Sequence, residues 1–385
     1  MNSPLRGAQI RVHHGNLMVL LDEPRRVISS AVVNGGMVNA RVILNHQVDK
    51  DFNHKDPEGY LMGVIERLGL KGVVVGLMTA ACVEKYGFSY HEGDGIAVSA
   101  IVTAGISNAS TCGEPLATQG LSTINTIVLV EASMSDSCMV EAVKTATEAK
   151  CRALAHLDVR SISSKELATG TTTDSIAIAE LGGKVKFKYA GPGTKLGELI
   201  GRAVFEASVQ ALEKNEGIRA GRSLLDRLRE RGITLEDMVT TGLELFVPHP
   251  GVETKERASE LLREELIELM SDVNVASLVL AGLRLDEDAK RSLIPGLSSL
   301  SYFKDPTFLV ADEVLGMSIA NYCAGTLGQF EYTRFDRAKP GILSRLSPFV
   351  DDVIGALVAS ASSRMYSRAL RSLKEREQHA NSQNA

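Results

Sequence analysis

The pattern of hydrophobic and polar positions changes near residue 215. Before that point, short apolar runs alternate with clusters of Gly, Ser and Thr, which predicts strands bounded by turns. Two longer segments, SDSCMVEAVKTATEAKCRALAHL and residues 194–215, carry apolar residues at helical spacing. Residues 1–215 therefore predict an α+β domain, a mixed sheet with flanking helices. Its expected strands are AVVNGGM, ARVILNH, GVVVGLMTA, GIAVSAIVTAG, STINTIVLV, SIAIAEL and KVKFKYAG.

Beyond this point the strand pattern disappears. Residues 216–232 are charged and interrupted by Gly, which predicts a linker or connecting helix. Residues 233–378 predict an all-α helical bundle, whose last helix begins with Ser347 as cap and Pro348 in the first turn. Residues 379–385 are expected to form a flexible tail.

Composition narrows the functional classes. A chain of 385 residues suits two domains. A net charge of -5 and the absence of Trp give no basis for binding nucleic acid or an anionic membrane. Five scattered cysteines without a CxxC pair argue against a disulfide framework and fit a reducing compartment. Without a signal peptide or an apolar run of about 20 residues, we expect a cytoplasmic protein.

Three acidic groups lie within forty residues of the second domain. Asp312 precedes Gly316 by four positions, and Asp351 precedes Gly355 by four. At this spacing the carboxylate and the glycine share a helix face. Glycine permits close approach of another backbone, which predicts that both helices present their acids across one tight crossing. Helix-dipole stabilisation of about 0.3–1 kcal/mol per charge is the simpler explanation for any single pair. The three groups are Asp312-Glu313, Asp336 and Asp351-Asp352.

Clustered carboxylates require a counter-ion, and Mg²⁺ prefers oxygen ligands together with substrate phosphate. The motifs DEVLGMSIA, RFDRAKP and VDDVIGAL resemble the phosphatidylglycerophosphatase A superfamily of magnesium-dependent phosphomonoesterases. The resemblance implies that Asp336 and Lys339 are catalytic. Gly341 follows KP where the membrane enzymes carry Trp-Pro, so the chain is more similar to the soluble α-ribazole-5′-phosphate phosphatases of archaea. The implied metal ligands are Asp312, Glu313, Asp351 and Asp352.

The phosphatase mechanism has two alternatives at this stage. A bound cation could activate a water whose proton an aspartate accepts. Alternatively, an aspartate could attack the phosphate directly and form a phosphoenzyme. Hydrolysis of another phosphomonoester is the alternative to α-ribazole-5′-phosphate as substrate.

The first domain carries polar, glycine-rich motifs at its predicted strand ends. Their amide and hydroxyl groups predict a pocket for a large polar ligand, and Gly allows close backbone approach. Ordinary turn chemistry explains many of the same residues. The motifs are SSAVVNGG, LNHQVD, GLMTAA, VTAGISNAS, STINTIV, TEAK and ATGTTTDS.

In this order, the motifs resemble the adenosylcobinamide amidohydrolase family over roughly residues 25–210. The resemblance implies hydrolysis of the amide that joins aminopropanol to the corrin ring, giving adenosylcobyric acid. We expect His46 in acid/base chemistry, with Asn34 or Asn108 polarising the carbonyl. A hydroxyl nucleophile, Thr171 or Thr103, is the alternative. The matched positions also include Asp174 as catalytic and Gly35, Thr79, Thr103, Asn125 and Glu148 as substrate-binding.

Together, the two halves predict a bifunctional hydrolase of cobamide salvage. Its expected substrates are a corrinoid and α-ribazole-5′-phosphate, with Mg²⁺ as cofactor of the second domain. No metal-ligand spacing is recognised in the first domain. A corrinoid-binding module that does not cut its ligand is the alternative for that domain, and a homo-oligomer is compatible with the sequence.

Overall fold

A computed structural model describes residues 6–115 and 122–383. The chain divides into two compact units, residues 1–221 and 222–385. The first is built on a mixed sheet and the second is helical, which confirms the predicted fold classes. Within the predicted linker 216–232, helix α4 (Leu224–Glu230) buries Leu224 and Leu228 in the core of the second unit. Most of that segment therefore belongs to the second unit.

The first unit contains one large sheet and two small strand pairs. The large sheet has the order β4-β3-β2-β11-β8-β6-β5, with β1 paired to β2. The β3–β4 and β8–β11 pairs are parallel, whereas the other pairs in this sheet are antiparallel. The small pairs are β7–β10 and β9–β12. The strands are β1 (Ala8–His13), β2 (Asn16–Ser29), β3 (Gly36–Gln47), β4 (Val74–Thr79), β5 (Gly87–Gly93), β6 (Ile96–Ala104), β7 (Ala109–Ser110), β8 (Ile124–Glu131), β9 (Ser133–Met134), β10 (Gly170–Thr171), β11 (Ser175–Glu180) and β12 (Lys186–Phe187).

The large sheet curls strongly. The amide of Asn125 on β8 donates to the carbonyl of Met78 on β4 over 2.8 Å, although three strands separate β4 from β8 in the sheet. Alternate residues of each strand point to opposite faces. One face forms the inner core, and the outer face packs against helices. Residues of the inner core include Leu17, Ile43, Leu77, Ile101 and Leu129.

Three helices cover the outer face. They are α1 (Pro57–Arg67), α2 (Asp136–His156) and α3 (Lys195–Glu216). α1 packs on the β3–β4 part, and α2 and α3 pack on the β6–β8 part. The hydroxyl of Ser135 caps α2 by accepting from the Cys138 amide over 3.2 Å. The helical spacing read from the sequence is confirmed for α2 and α3.

Some predicted strands differ from the structure. AVVNGGM is mostly a turn, because Asn34 and Gly36 adopt positive φ angles of 54° and 86°. KVKFKYAG contributes only the two residues of β12. Strands β1, β2 and β5 were not predicted, and β2 carries an irregularity between Leu20 and Arg25. Charged residues in the middle of β2 hide the alternation that a strand prediction needs.

The second unit is a helical bundle around α10. Besides α4 it contains five helices before α10 and a short 3₁₀ turn. α10 continues to Gln383, so the predicted tail 379–385 begins as helix, and residues 384–385 lie outside the described part. Within the described residues no single helix is long and apolar enough to cross a membrane, although α6 and α7, bent by 86°, reach that length and composition together. The helices are α5 (Leu235–Glu244), α6 (Lys255–Ser271), α7 (Val273–Lys290), α8 (Ser299–Tyr302), α9 (Ala311–Ala338) and α10 (Pro348–Gln383).

Helix α9 is folded back on itself. Gly325 has φ 61° and ψ −150°, which breaks the helix. A Cβ on Gly316 would lie 2.5 Å from the hydroxyl of Tyr332. Sixteen residues span about 24 Å in a straight helix, so this contact requires two antiparallel halves. The start of α9 therefore returns close to its end.

Gly328→Ala should destabilise this hairpin by about 1–3 kcal/mol, because the new methyl group overpacks the crossing. A Cβ at Gly328 would meet the Ala320 carbonyl and lie 2.8 Å from the Ala324 side chain. Gly201→Ala in α3 is the matched control, since its Cβ would meet nothing within 4 Å. Urea unfolding monitored by circular dichroism measures both variants. Equal stability of the two variants would contradict the close crossing.

Candidate functional site

The hairpin of α9 and the start of α10 bring three carboxylates together. Asp312 and Glu313 begin α9, and Asp352 is the fifth residue of α10. One oxygen from each of the three lies within 4.8 Å of the others. Asp312 and Asp352 are 1% and 3% exposed, so water screens their charges poorly. The three residues form a candidate metal centre, named the carboxylate trio below.

Lys339 joins the remaining predicted residues to this trio. Its Nζ lies 2.8 Å from Asp336 Oδ1, 2.8 Å from Asp351 Oδ1 and 3.6 Å from Asp352 Oδ1. The structure thus assembles all six residues that the sequence analysis singled out in this unit. Asp351 is held by Lys339 and is not part of the trio.

A tight turn after α9 fixes the position of Lys339. Lys339 ends the helix in the left-handed conformation with φ 42°, and Gly341 follows with φ 55°. A Cβ at Gly341 would collide with Thr241. The Gly341 amide donates to Glu244 over 2.9 Å. Glycine is therefore required at this position, since both the backbone angle and the contact with α5 exclude a side chain.

Tyr332 fills the space between the two helices that carry the acids. Its hydroxyl donates to Asp352 Oδ1 over 2.8 Å. Its ring lies against Gly316, and a Cβ at Gly355 would lie 3.8 Å from the same ring. The prediction of a backbone-to-backbone crossing at these glycines is therefore wrong. Gly316 instead makes room for a tyrosine that orients one of the carboxylates, whereas a Cβ at Gly355 would make only an ordinary contact with it.

The start of α10 is held by a second tyrosine. The Phe349 amide donates to the hydroxyl of Tyr302 over 3.1 Å, and this hydroxyl donates to Asp286 over 2.7 Å. The hydroxyl of Ser347 also donates to Asp286. Ser347 precedes the first residue of α10, as predicted for the cap, and its carbonyl accepts from the amides of Val350 and Asp351, while its hydroxyl is engaged by Asp286. These contacts fix the turn from which Asp351 and Asp352 project.

The electrostatics of the site reflect crowded acids. Burial, reinforced by Glu313 and Asp352, raises the pKa of Asp312 to about 8. Burial also raises the pKa of Asp351 to about 8 and raises that of Asp352. Burial alone would lower the pKa of Lys339, but Asp336 and Asp351 outweigh it and the pKa is raised. The lysine thus stays charged while the acids repel one another.

The trio suits a hard divalent cation. All its ligand atoms are carboxylate oxygens, the donors that Mg²⁺ and Mn²⁺ prefer. Glu313 Oε2 is buried and has no hydrogen-bond partner within the described residues. A buried carboxylate oxygen without a partner is costly, and a cation would satisfy it. The residues present therefore fit the metal that the sequence predicts.

The first unit holds a different polar site, inside the curled sheet. The amide of Asn45 donates to Thr103 Oγ1 and the amide of Asn125 donates to Asn45 Oδ1, both over 2.8 Å. Thr79 lies beside them and, like the other three, is 1% exposed. Asn125 Oδ1 has no partner within the described residues. Strand ends on β3, β4, β6 and β8 place these side chains, named the inner polar cluster.

The loop 170–174 borders this cluster. Thr171 donates to Asp174 Oδ1 over 2.5 Å, and the Ile124 amide donates to the same oxygen over 3.1 Å. Lys150 Nζ pairs with Asp174 Oδ2. The hydroxyl oxygens of Thr173 and Thr123 lie 2.8 Å apart. The backbone carbonyl of Thr123 accepts from the hydroxyl of Thr79 over 3.5 Å. The loop and the inner polar cluster are therefore connected through β8.

Asn108 closes the other side of this loop. Its amide donates to Thr172 Oγ1 over 2.8 Å, while its Oδ1 is buried and has no partner within the described residues. Of the predicted residues, the structure thus brings together Thr79, Thr103, Asn108, Asn125, Thr171 and Asp174.

His46 lies apart from these residues. It follows Asn45 on β3, so its side chain points to the outer face where α1 packs. Its Nδ1 lies 2.8 Å from Asn16 Oδ1, and its Nε2 lies 3.4 Å from the Tyr60 hydroxyl. Burial, with a smaller contribution from Arg67, lowers the pKa of His46. The imidazole is thus held neutral at a place that the inner polar cluster does not reach.

Three further predicted residues also lie elsewhere. The amide of Asn34 donates to the Val74 carbonyl over 2.8 Å, at the opposite end of β4 from Thr79. Gly35 is in the same turn, where a Cβ would lie 2.7 Å from the Ala31 carbonyl. Glu148 is exposed on α2. Asn34 and Gly35 thus support the fold at the start of β4.

Sequence reasoning missed two residues of the site. Asn45 and Lys150 lie within the motifs LNHQVD and TEAK that were already quoted. Strand alternation shows that Asn45 and His46 cannot share a face, and the buried pattern of β3 selects Asn45. In TEAK it is Lys150, rather than Glu148, that reaches the loop.

Comparison with known proteins gives the family of each unit. Residues 1–220 match the family model for adenosylcobinamide amidohydrolase. An adenosylcobinamide amidohydrolase of Methanosarcina mazei is 33% identical over 193 residues, covering 48% of this chain and 88% of the relative. The chain belongs to the adenosylcobinamide amidohydrolase family. An uncharacterised protein of Methanocaldococcus jannaschii is 30% identical over 230 residues, 53% of this chain and 88% of its own length.

The second unit has its own relatives. Residues 241–367 match the family model for phosphatidylglycerophosphatase A, so this member of the amidohydrolase family also carries a phosphatase-like domain. Among solved structures, the low temperature requirement C protein of Listeria monocytogenes is 29% identical, covers 38% of this chain and 93% of its own, and has a TM-score of 0.34. The chain is thus a hydrolase with two domains of different families.

Binding of Mg²⁺ or Mn²⁺ should raise the melting temperature of the full chain, because the cation binds the folded trio only. Asp352→Asn should abolish this shift. Asp288→Asn, which changes an exposed carboxylate of α7, is the matched control and should keep it. Differential scanning fluorimetry with and without chelator measures the effect. A shift that survives in Asp352→Asn would exclude the trio as the binding site.

The same site predicts a pH dependence. Since the pKa of Asp312, a member of the trio, is raised to about 8, protons compete with the cation below that pH. Binding of Mn²⁺, measured by calorimetry, should tighten by up to about tenfold per pH unit between pH 6.5 and 8. Without cation, stability should fall over this range, because the folded state holds protons that the unfolded chain has lost. A flat binding profile would contradict the crowding.

Proposed function

We propose that the protein catalyses two hydrolytic reactions of cobamide salvage. The first unit cleaves the aminopropanol amide of adenosylcobinamide to adenosylcobyric acid. The second unit removes the phosphate from α-ribazole-5′-phosphate with a divalent cation. The observation that carries the phosphatase half is the carboxylate trio beside Lys339. The amidohydrolase family of the first unit supports the corrinoid substrate.

The corrinoid-processing domain beside it in the chain supports this substrate for the second unit. A phosphatase fused to a corrinoid-processing domain is best explained if its product enters the same final molecule. α-Ribazole is the nucleoside of the lower ligand, and adenosylcobyric acid supplies the corrin. Another phosphomonoester is the alternative, since the family name of this domain refers to a phospholipid precursor.

In the second unit, Asp312, Glu313 and Asp352 would hold the cation. When bound, it would neutralise phosphate charge and make a water more acidic. Lys339 carries a positive charge at the edge of the trio and is placed to bind a phosphate oxygen. Asp336 contacts the lysine but lies outside the buried trio, with its side chain 29% exposed. It is the carboxylate best placed to accept a proton from the attacking water.

In the first unit, the substrate amide would bind over the inner polar cluster. The side-chain oxygens of Asn108 and Asn125, which have no partner within the described residues, can each accept from an amide N–H, the group that corrinoid side chains carry in number. Thr171 is the nucleophile that we favour, because its hydroxyl already donates to the carboxylate of Asp174. Lys150 neutralises Asp174 and holds the loop in place.

Cleavage then proceeds in two steps. The Thr171 oxygen attacks the amide carbon as its proton passes to Asp174, and aminopropanol leaves with that proton. Water hydrolyses the resulting ester and restores the threonine. His46 takes no part in this route, since it lies on the outer face of the sheet.

Phosphate release from α-ribazole-5′-phosphate should exceed release from phosphatidylglycerophosphate and from common nucleotides. It should require Mg²⁺ or Mn²⁺ and should fall by a factor of about 10³ or more in Asp312→Asn, because loss of one ligand removes the cation from the site. Amide cleavage in the same variant should be unchanged. Equal rates with all phosphomonoesters would refute the specificity while leaving the phosphatase assignment intact.

Thr171→Ala should reduce aminopropanol release from adenosylcobinamide by a factor of about 10³, whereas Thr171→Ser should keep most activity because the hydroxyl remains. His46→Ala should lower activity only through stability. Mass spectrometry of a stopped reaction should detect an adduct on Thr171. Full activity of Thr171→Ala, or a large loss in folded His46→Ala, would reverse the roles given to these residues.

A further inference from the structure

The outer side of the α9 hairpin is apolar and exposed. Val310, Val314 and Met317 recur at helical spacing along its first half, and Leu327 and Phe330 do so along the second. Each is at least 40% exposed. These five residues are named the α9 face. The opposite side of the same helix is buried in the bundle, and a helix that is apolar on two sides is expected to be covered on both.

Three further exposed apolar residues precede α9 in the chain. Leu300 on α8 and Phe303 and Phe308 in the turn before α9 are 81%, 62% and 67% exposed. Since a large aromatic side chain offers about 150–250 Å², the eight residues together expose on the order of 1,000 Å². The largest apolar patch of a monomeric protein is typically about 300–600 Å². Each partner of a standard protein–protein interface contributes about 800 Å².

We propose that the α9 face is the interface of a homodimer. Phe330, 73% exposed, projects beside a depression of about 540 Å³ that Thr333, Arg334 and Arg337 also line. A two-fold interface requires one surface to offer both the projection and the cavity that receives it. Two helical hairpins that pack face to face form a four-helix arrangement, a common way to cover such a surface.

The charges at the margin favour a second copy over a membrane. The bases Lys304, Arg334 and Arg337 are matched by the acids Asp305, Glu331 and Asp336, so the margin of the apolar residues carries no excess of positive charge. A membrane-binding surface needs an excess of basic residues to meet anionic lipid. A protein interface instead has a polar rim of mixed charge around an apolar centre.

The first unit is a poorer partner for this surface. The exposed large apolar residues among its described positions are mostly valines and methionines from several separate segments. None forms a stripe comparable with the α9 face. They are Val32, Met37, Met62, Val73, Val140, Val185 and Tyr189.

The double variant Leu327→Glu/Phe330→Glu of the full chain tests the proposal. Sedimentation velocity over a range of concentrations should show the unmodified chain at twice its mass of 41.3 kDa and the variant at 41.3 kDa. The dissociation constant should rise by about 100-fold or more, since two buried charges oppose association. Val140→Glu on α2, where Val140 is 58% exposed, is the matched control and should remain dimeric.

Several outcomes would overturn the proposal. The unmodified chain could remain a monomer at every concentration, or the double variant could dimerise as tightly as the control. A monomer that sediments with phosphatidylglycerol vesicles would identify a membrane surface instead. A monomer whose α9 cross-links to residues 1–221 of the same chain would identify the first unit as the cover. If the double variant does not fold, hydrogen exchange of the unmodified chain decides, because α9 should exchange more slowly at high concentration only.

Discussion

Repulsion between buried carboxylates is the constraint on which the second unit depends. At an effective dielectric constant of about 20, two like charges about 4 Å apart repel by about 4 kcal/mol. Three carboxylates meet within 4.8 Å, and two more lie on the far side of one lysine. Such an arrangement persists only if other contacts hold the helices in place. These contacts are the hairpin at Gly325, the hydrogen bonds of Tyr332 and Tyr302, and the turn at Gly341.

The first unit differs from the second because the polar side chains buried inside its sheet are neutral. Its strands curl until β8 contacts β4, and amides and hydroxyls from four strand ends then satisfy one another. Among the described residues, the side-chain oxygens of Asn108 and Asn125 are buried without a partner. A buried acceptor without a partner destabilises the folded protein, and a ligand that donates an amide hydrogen bond to it removes this penalty. The site is thus suited to a substrate rich in amides.

The sequence predicted the composition of the acidic site because its chemistry is local. Asp312-Glu313, Asp336-x-x-Lys339 and Asp351-Asp352 are short motifs, and helical spacing places each on one face. What the sequence did not reveal is the reversal of α9 at Gly325, since the apolar pattern continues through it. The role of Tyr332 was equally hidden, because only the fold brings residue 332 beside residue 316.

The polar site of the first unit was harder to predict from the sequence. Its residues come from strands far apart in sequence, and the curl of the sheet decides which of them meet. Neighbouring positions in one motif, such as Asn45 and His46, point to opposite faces, so the motif alone favoured the more reactive side chain. Strand alternation places Asn45 and His46 on opposite faces, but it does not say which face is the inner one. Long-range pairing, rather than local propensity, sets that face.

Location of the cation tests the central claim most directly. Crystals of the full chain grown or soaked with Mn²⁺ should show an anomalous difference peak between the carboxylates of Asp312, Glu313 and Asp352, at about 2.0–2.3 Å from their oxygens. Asp351 should remain paired with Lys339 in the same crystal. A peak at another position, or none in a crystal saturated with Mn²⁺, would contradict the assignment of these carboxylates as a metal centre.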